Sequence, residues 1–215
     1  DEKLIVPGYY WLAAEWDNLL WSCILCNRKN NLDTPVTDGP TPLGKKNRFP
    51  MVDELKRIRS HNDDLNQESD FMLILDPCRD DPAEHLFFPL EGDDLGIVKS
   101  VLNTDDEPSP KGEASIPLYG LNRVELVFAR REEALDLRAI FIGMLRSLES
   151  FISKQKANED ATAEQSDFLE QKRRFQAKMS PTAEYLGMKK YLIKDFNNID
   201  LVKKLNLKVE DLLEN

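Results

Sequence analysis

Long apolar runs are missing from this chain. No stretch of about 18 apolar residues occurs, which excludes a bilayer-crossing helix and predicts no membrane contact. The opening residues lack the charged segment, apolar stretch and small-residue cleavage site of a secretory signal. Cysteine is scarce. Of three, Cys23 and Cys26 share one C-x-x-C, which is no disulfide framework. These absences predict a reduced, cytoplasmic protein. Positive charge is also short, with 29 Lys and Arg against 39 Asp and Glu. A net charge of −10 argues against a protein that coats nucleic acid by bulk electrostatics, although local basic patches suffice for a nuclease.

What remains is a globular composition. A length of 215 residues accommodates one core, or a small site module plus a helical domain. Residues 4–8 read as the end of a loop or strand, and 9–16 as a short helix with Tyr10, Trp11 and Trp16 facing a core. A turn at 23–26 leads into a short helix. Residues 32–44 are rich in Pro, Gly and Asp and read as a loop. A charged helix is predicted over 53–66 and a buried strand over 71–75, ended by Asp76-Pro77. Segments 86–90 and 96–101 suit a strand pair, and 103–113 a loop. Apolar residues at helical spacing over 121–151 predict a long helix, and 164–178 another. Ser180-Pro181 reads as a helix start leading into 185–194, followed by an amphipathic tail over 199–213.

The segment richest in chemistry is Trp16-Asp17-Asn18-Leu19-Leu20-Trp21-Ser22-Cys23-Ile24-Leu25-Cys26-Asn27-Arg28-Lys29. Two thiolates at C-x-x-C spacing can point at one zinc, as half of a four-ligand site. The competing reading is a pair of buried thiols. Asn18 suits a turn or cap, and Asn27 suits a helix start. Arg28-Lys29, Lys45-Lys46-Asn47-Arg48 and Lys56-Arg57-Ile58-Arg59 are candidate basic patches or plain surface charge.

Asn-Leu ahead of C-x-x-C-Asn resembles the second half of an HNH nuclease motif, with Asn in the last place where His is commoner. Further stretches also match: Tyr9-Tyr10-Trp11-Leu12-Ala13, Gly44-Lys45-Lys46-Asn47-Arg48-Phe49-Pro50, Leu75-Asp76-Pro77-Cys78 with Asp80-Asp81-Pro82 and Glu84-His85-Leu86, and Gly120-Leu121-Asn122-Arg123. Together they resemble the bacterial HNH endonuclease family that includes the nuclease subunit of the Septu antiphage defence system. The resemblance implies structural zinc on Cys23 and Cys26, a loop-fixing role for Asn18 and a metal-holding role for Asn27. Asn31 is a second metal candidate if the helix continues that far. An amide oxygen suits a hard ion, so Mg²⁺ or Mn²⁺ is the implied catalytic metal. Arg28, Lys29, Lys45, Lys46 and Arg48 become the implied nucleic-acid contacts, with DNA preferred over RNA. A partner ATPase of the ABC/SMC-like type and an association with retrons are implied as well.

Family members carry another C-x-x-C and a Glu-His-x-x-Pro-Lys-like stretch ahead of the Tyr-Tyr-Trp segment, and nothing before Tyr9 matches these. The expectation is therefore a fragment, or else an incomplete, inactive module. The expected fold is mainly α (α+β). A partial ββα-metal, treble-clef HNH module should occupy 1–52. An α-rich, partner-binding region over 53–215 should follow, with a small β element at about 70–101. Rival readings are a non-catalytic zinc-stapled adaptor docking on an ATPase, and a regulatory helical domain whose Cys pair is only core. His61 reads as surface, His85 as a structural hydrogen-bonding residue, Cys78 as a buried thiol, and Trp11, Trp16 and Trp21 as core.

Overall fold

A computed structural model describes residues 8–213, and residues 4–7 of the predicted opening segment lie outside it. The chain is mainly α with short antiparallel ladders, and it forms two compact units. The first comprises the described residues through Phe87 together with Val98–Leu126. The second comprises Phe88–Ile97 and everything from Val127 onward. Within the first unit, residues 50–52 are fastened to residues 71–73. Val52 N–H donates to Phe71 O at 2.9 Å, Leu73 N–H donates to Pro50 O at 3.0 Å, and Met51 bridges Met72.

In the first unit, 3₁₀ turns at Tyr10–Ala14 and Trp16–Asn18 precede a one-turn helix, α1 (Ile24–Asn27). The segment read as a loop over 32–44 is instead a hairpin. Strand β1 (Asn30–Leu32) pairs antiparallel with β2 (Thr41–Leu43), placing Asn30 opposite Leu43 and Leu32 opposite Thr41. A hydroxyl chain, Thr34–Thr37 at 2.7 Å and Thr37–Thr41 at 2.8 Å, holds its connecting loop.

The helix expected over 53–66 shrinks to a 3₁₀ turn at Glu54–Lys56, followed later by α2 (Asn66–Ser69). Its backbone is diverted. Ile58 N–H donates to the Glu68 carboxylate at 3.0 Å instead of to a helical carbonyl. Glu68 is 1% exposed. It also accepts the Tyr9 hydroxyl, and Arg57 donates to Tyr9 O, to Glu54 and to Phe49 O. Burial, then the Glu68 carboxylate, drives the Tyr9 phenol well above its usual range. Truncating a buried carboxylate strands these donors. Glu68→Ala should therefore cost roughly 3 kcal/mol or more. The three Trp lie at 11, 16 and 21, all in the first unit, so tryptophan fluorescence in a urea titration follows this unit; an unmoved midpoint would contradict the role.

The predicted strand over 71–75 is reduced to the single antiparallel bridge of Met72 with Met51, and Ile74 and Leu75 are buried. A hydroxyl takes the place of a neighbouring strand: Leu75 N–H donates to Ser115 Oγ at 2.9 Å, and Ser115 donates to Leu73 O at 3.4 Å. Strand β3 (Leu86–Phe87) pairs with β4 (Lys99–Ser100), a pair shorter than expected because the chain passes into the other unit at Phe88. Helix α3 (Pro110–Tyr119) begins inside the predicted 103–113 loop. Its signal was Ser109-Pro110, an N-cap followed by Pro at the first helical position.

Helix α4 (Val124–Lys156) realises the predicted long helix, with its first three residues in the first unit. Its apolar face packs Leu137, Phe141, Met144 and Leu145 against Phe175 of α5 (Thr162–Lys178), Leu192 and Phe196 of α6 (Leu186–Phe196), and Val202 of α7 (Asp200–Leu205). Phe141 stacks on Phe196 at 4.5 Å between centroids. Ser180 does not cap a helix, because Tyr185 takes φ +54° and α6 starts only after it. Among the described residues no helix is long and apolar enough to cross a membrane.

Candidate functional site: a thiol pair bridged by arginine

Cys23 precedes α1 with φ −59° and ψ 139°, so its carbonyl receives the Cys26 and Asn27 N–H groups at 3.1 and 3.0 Å. The turn is one helical round, which brings the side chains of Cys23 and Cys26 to the same side. N–H groups of Cys26 and Leu25 aim at the Cys23 sulfur and, with the Cys26 thiol and the Arg123 charge, pull its thiol below the usual range.

The turn is clamped from behind. Lys45 N–H donates to Cys26 O at 2.7 Å, and Lys46 N–H donates to Asn27 O at 2.6 Å. Gly44 makes this approach possible. It has φ +99°, and a Cβ there would lie 1.8 Å from Arg28 O. Across the sulfurs lies Arg123, 6% exposed, with Nη1 donating to Cys26 Sγ at 3.5 Å and Nη2 to Cys23 Sγ at 4.0 Å. Reading the sequence did not single out Arg123 as a site residue. Its only signal was membership of the Gly120-Leu121-Asn122-Arg123 stretch, since 97 residues separate it from Cys26.

The other candidates fall variously. Asn18 Nδ2 donates to Leu12 O at 3.1 Å and ties the two 3₁₀ turns together. Asn27 is the last residue of α1 and is exposed. Asn31 does not share its helix face. The helix stops at Asn27, Arg28 turns extended at ψ 151°, and Asn31 sits in β1 opposite Pro42. The basic set divides. Arg28, Lys29 and Lys46 are exposed. Arg48 spends its guanidinium on Gly44 O at 2.6 Å, and Lys45 Nζ sits 3.5 Å over the Phe49 ring. Burial pushes the Lys45 ammonium down to about 8, against the pull of the ring face, which favours the cation.

Three smaller readings change or hold. Trp16 and Trp21 are exposed, Trp16 at 82%, and not core; Trp16 opens the second 3₁₀ turn and Trp21 lies in the irregular stretch after it. Cys78 is exposed, its N–H bound to Asp76 Oδ1 at a turn. His85 contacts Ser109 Oγ through Nδ1 at 2.8 Å, and His61 is exposed. A cleft of about 460 Å³ lies in the second unit. Its charges pair among themselves: buried Lys189 reaches Glu133 at 2.8 Å, and Lys178 reaches Asp136 at 2.6 Å.

Two sulfurs on one turn, supplied with N–H donors, suit a shared soft metal as half of a tetrahedral donor set. Among the described residues no group of three or more His, Cys, Asp or Glu is placed to hold a metal.

The molecule is thus an α+β protein, mainly helical, carrying an arginine-bridged C-x-x-C turn. Over 160 residues, 74% of its length, it is 36% identical to the Septu protein PtuB of Bacillus mycoides (strain KBAB4). Over 132 residues, 61% of its length, it is 31% identical to the Septu protein PtuA of the same strain. The chain spans 45% of the first relative and 15% of the second. No family model matches the chain, and no solved structure does.

Proposed function

We propose that this chain belongs to a metal-dependent HNH-type endonuclease. It hydrolyses nucleic-acid phosphodiesters, DNA in preference to RNA, as the effector of a Septu-type antiphage defence system. An ABC/SMC-like ATPase is its partner, the cytoplasm its location and retron association part of the same reading. The observation that carries this reading is α1, which has one sulfur just before it at Cys23, a second within it at Cys26, and an open amide, Asn27, at its end. The similarity to PtuB supports it.

Cys23 and Cys26 hold structural zinc together with two ligands from outside the described residues. A bound Mg²⁺ or Mn²⁺ supplies charge stabilisation at the phosphoryl and leaving oxygens. Asn27 offers that ion an amide oxygen, and Asn18 keeps the preceding loop in place. Arg28, Lys29 and Lys46 are the side chains free to meet phosphates.

A second reading, the zinc-stapled adaptor, is favoured by one observation. Neither histidine contacts the thiol pair: His85 is bound to Ser109, and His61 makes no hydrogen bond among the described residues. The test is elemental analysis and plasmid cleavage by the full-length protein with its ATPase. The nuclease reading expects about one zinc per chain and Mg²⁺-dependent nicking that EDTA abolishes. Zinc without cleavage selects the adaptor, and absence of both removes the metal reading.

A further inference from the structure

We propose that Arg123 is a positioning residue for the thiol pair: its guanidinium spans both sulfurs and supplies the counter-charge that lets Cys23 and Cys26 share one metal ion. The inference rests on the metal reading above and goes further, because it assigns a role to a residue outside the C-x-x-C motif.

Consider how the guanidinium is fixed. Helix α3 ends at Gly120 with φ +59°, where a Cβ would come within 3.1 Å of Leu43. Arg123 N–H then returns to Gly120 O at 3.2 Å, and Arg123 Nη1 donates to the same oxygen at 3.3 Å. The neighbours on both sides are pinned as well. The Asn122 amide makes two 2.8 Å bonds with Val98, one from Val98 N–H and one to Val98 O. Val124 N–H donates to Asp33 O at 3.0 Å. Three consecutive residues are thus tied to three different segments, and the side chain between them has no slack.

Its charge demands a partner. A buried guanidinium is costly unless neutralised. Among the described residues no carboxylate pairs with Arg123; its acceptors are Gly120 O, Cys26 Sγ and Cys23 Sγ. The two sulfurs are the side-chain acceptors that its guanidinium reaches, and sulfurs that ligate a metal do so as thiolates. Two thiolates on one metal repel one another and need outside donors. Such outer partners hold ligands in place and raise metal affinity. A planar fork reaches two acceptors at once, whereas a Lys ammonium reaches them only as a point charge.

The experiment uses the full-length protein, competing for Zn²⁺ against a chromophoric chelator, with Co²⁺ substitution as a spectroscopic readout. Arg123→Met should weaken Zn²⁺ binding by roughly 10- to 100-fold. It should also shift the thiolate-to-Co²⁺ charge-transfer band, because donors to sulfur are lost. Arg123→Lys should recover part of both. Wild-type affinity and an unshifted band in a folded Arg123→Met protein would overturn the proposal while leaving the zinc reading intact. A wild-type protein that binds no Zn²⁺ would overturn both. Should Arg123→Met fail to fold, Arg123→Lys decides: intermediate affinity supports the role, and wild-type affinity removes it.

Discussion

Asn27→Ala in the full-length protein is expected to lower Mg²⁺-dependent cleavage by about a hundredfold or more, in the range set by removing a metal-site group. Zinc content and the unfolding midpoint should stay unchanged. The separation follows from the geometry. The backbone of Asn27 is held on both sides, by its N–H to Cys23 O and by Lys46 N–H to its carbonyl. Its side chain is exposed and makes no hydrogen bond among the described residues. Alanine at the end of a helical turn keeps those backbone bonds and has good helix propensity. The amide therefore contributes little to folding, and its loss should register in catalysis alone. Undiminished cleavage would remove Asn27 from the site.

Cys23→Ser should do the opposite. Small zinc-stapled modules draw about 10–16 kcal/mol from the metal, and the first unit has little else at this end. Helix α1 contains no buried residue, and Trp16, Leu19, Leu20, Trp21 and Ile24 all stand at least half exposed. An oxygen in place of Cys23 Sγ removes a soft ligand and one of the two sulfur acceptors of Arg123. Zinc should be lost on purification, and the tryptophan-detected transition should weaken or vanish. The helical transition, carried by Phe141, Phe175 and Phe196, should persist. A normal tryptophan-detected melt with full zinc content would sink the stapling role.

Legibility in the sequence depended on the kind of bond involved. Helix α4 was readable because its partners in the pattern are three and four residues apart, from Leu137 through Phe141 to Leu145. The C-x-x-C turn was readable for the same local reason. The 71–75 run was readable as buried but not in form. The partner of Leu75 N–H is Ser115, 40 residues away, and an apolar run looks the same whether a strand or a hydroxyl satisfies it. The 53–66 segment has helical composition, yet a single long-range carboxylate, Glu68, captures the amide of Ile58. Asn122 reaches Val98 and Arg123 reaches the Cys pair across long sequence separations, so no spacing rule points at these contacts.

The clamp behind the Cys turn also separates anchoring from linkage. The amides that fasten α1 belong to Lys45 and Lys46, beyond the far end of β2, whereas β1 leaves the turn at Asn30. Residues 36–39, at the tip of the connecting loop, are exposed and Gly39 has open space around it. Loop closure grows only slowly more costly with length. That tip is therefore the place where an inserted tag or reporter should leave the two sulfurs undisturbed and the turn in register.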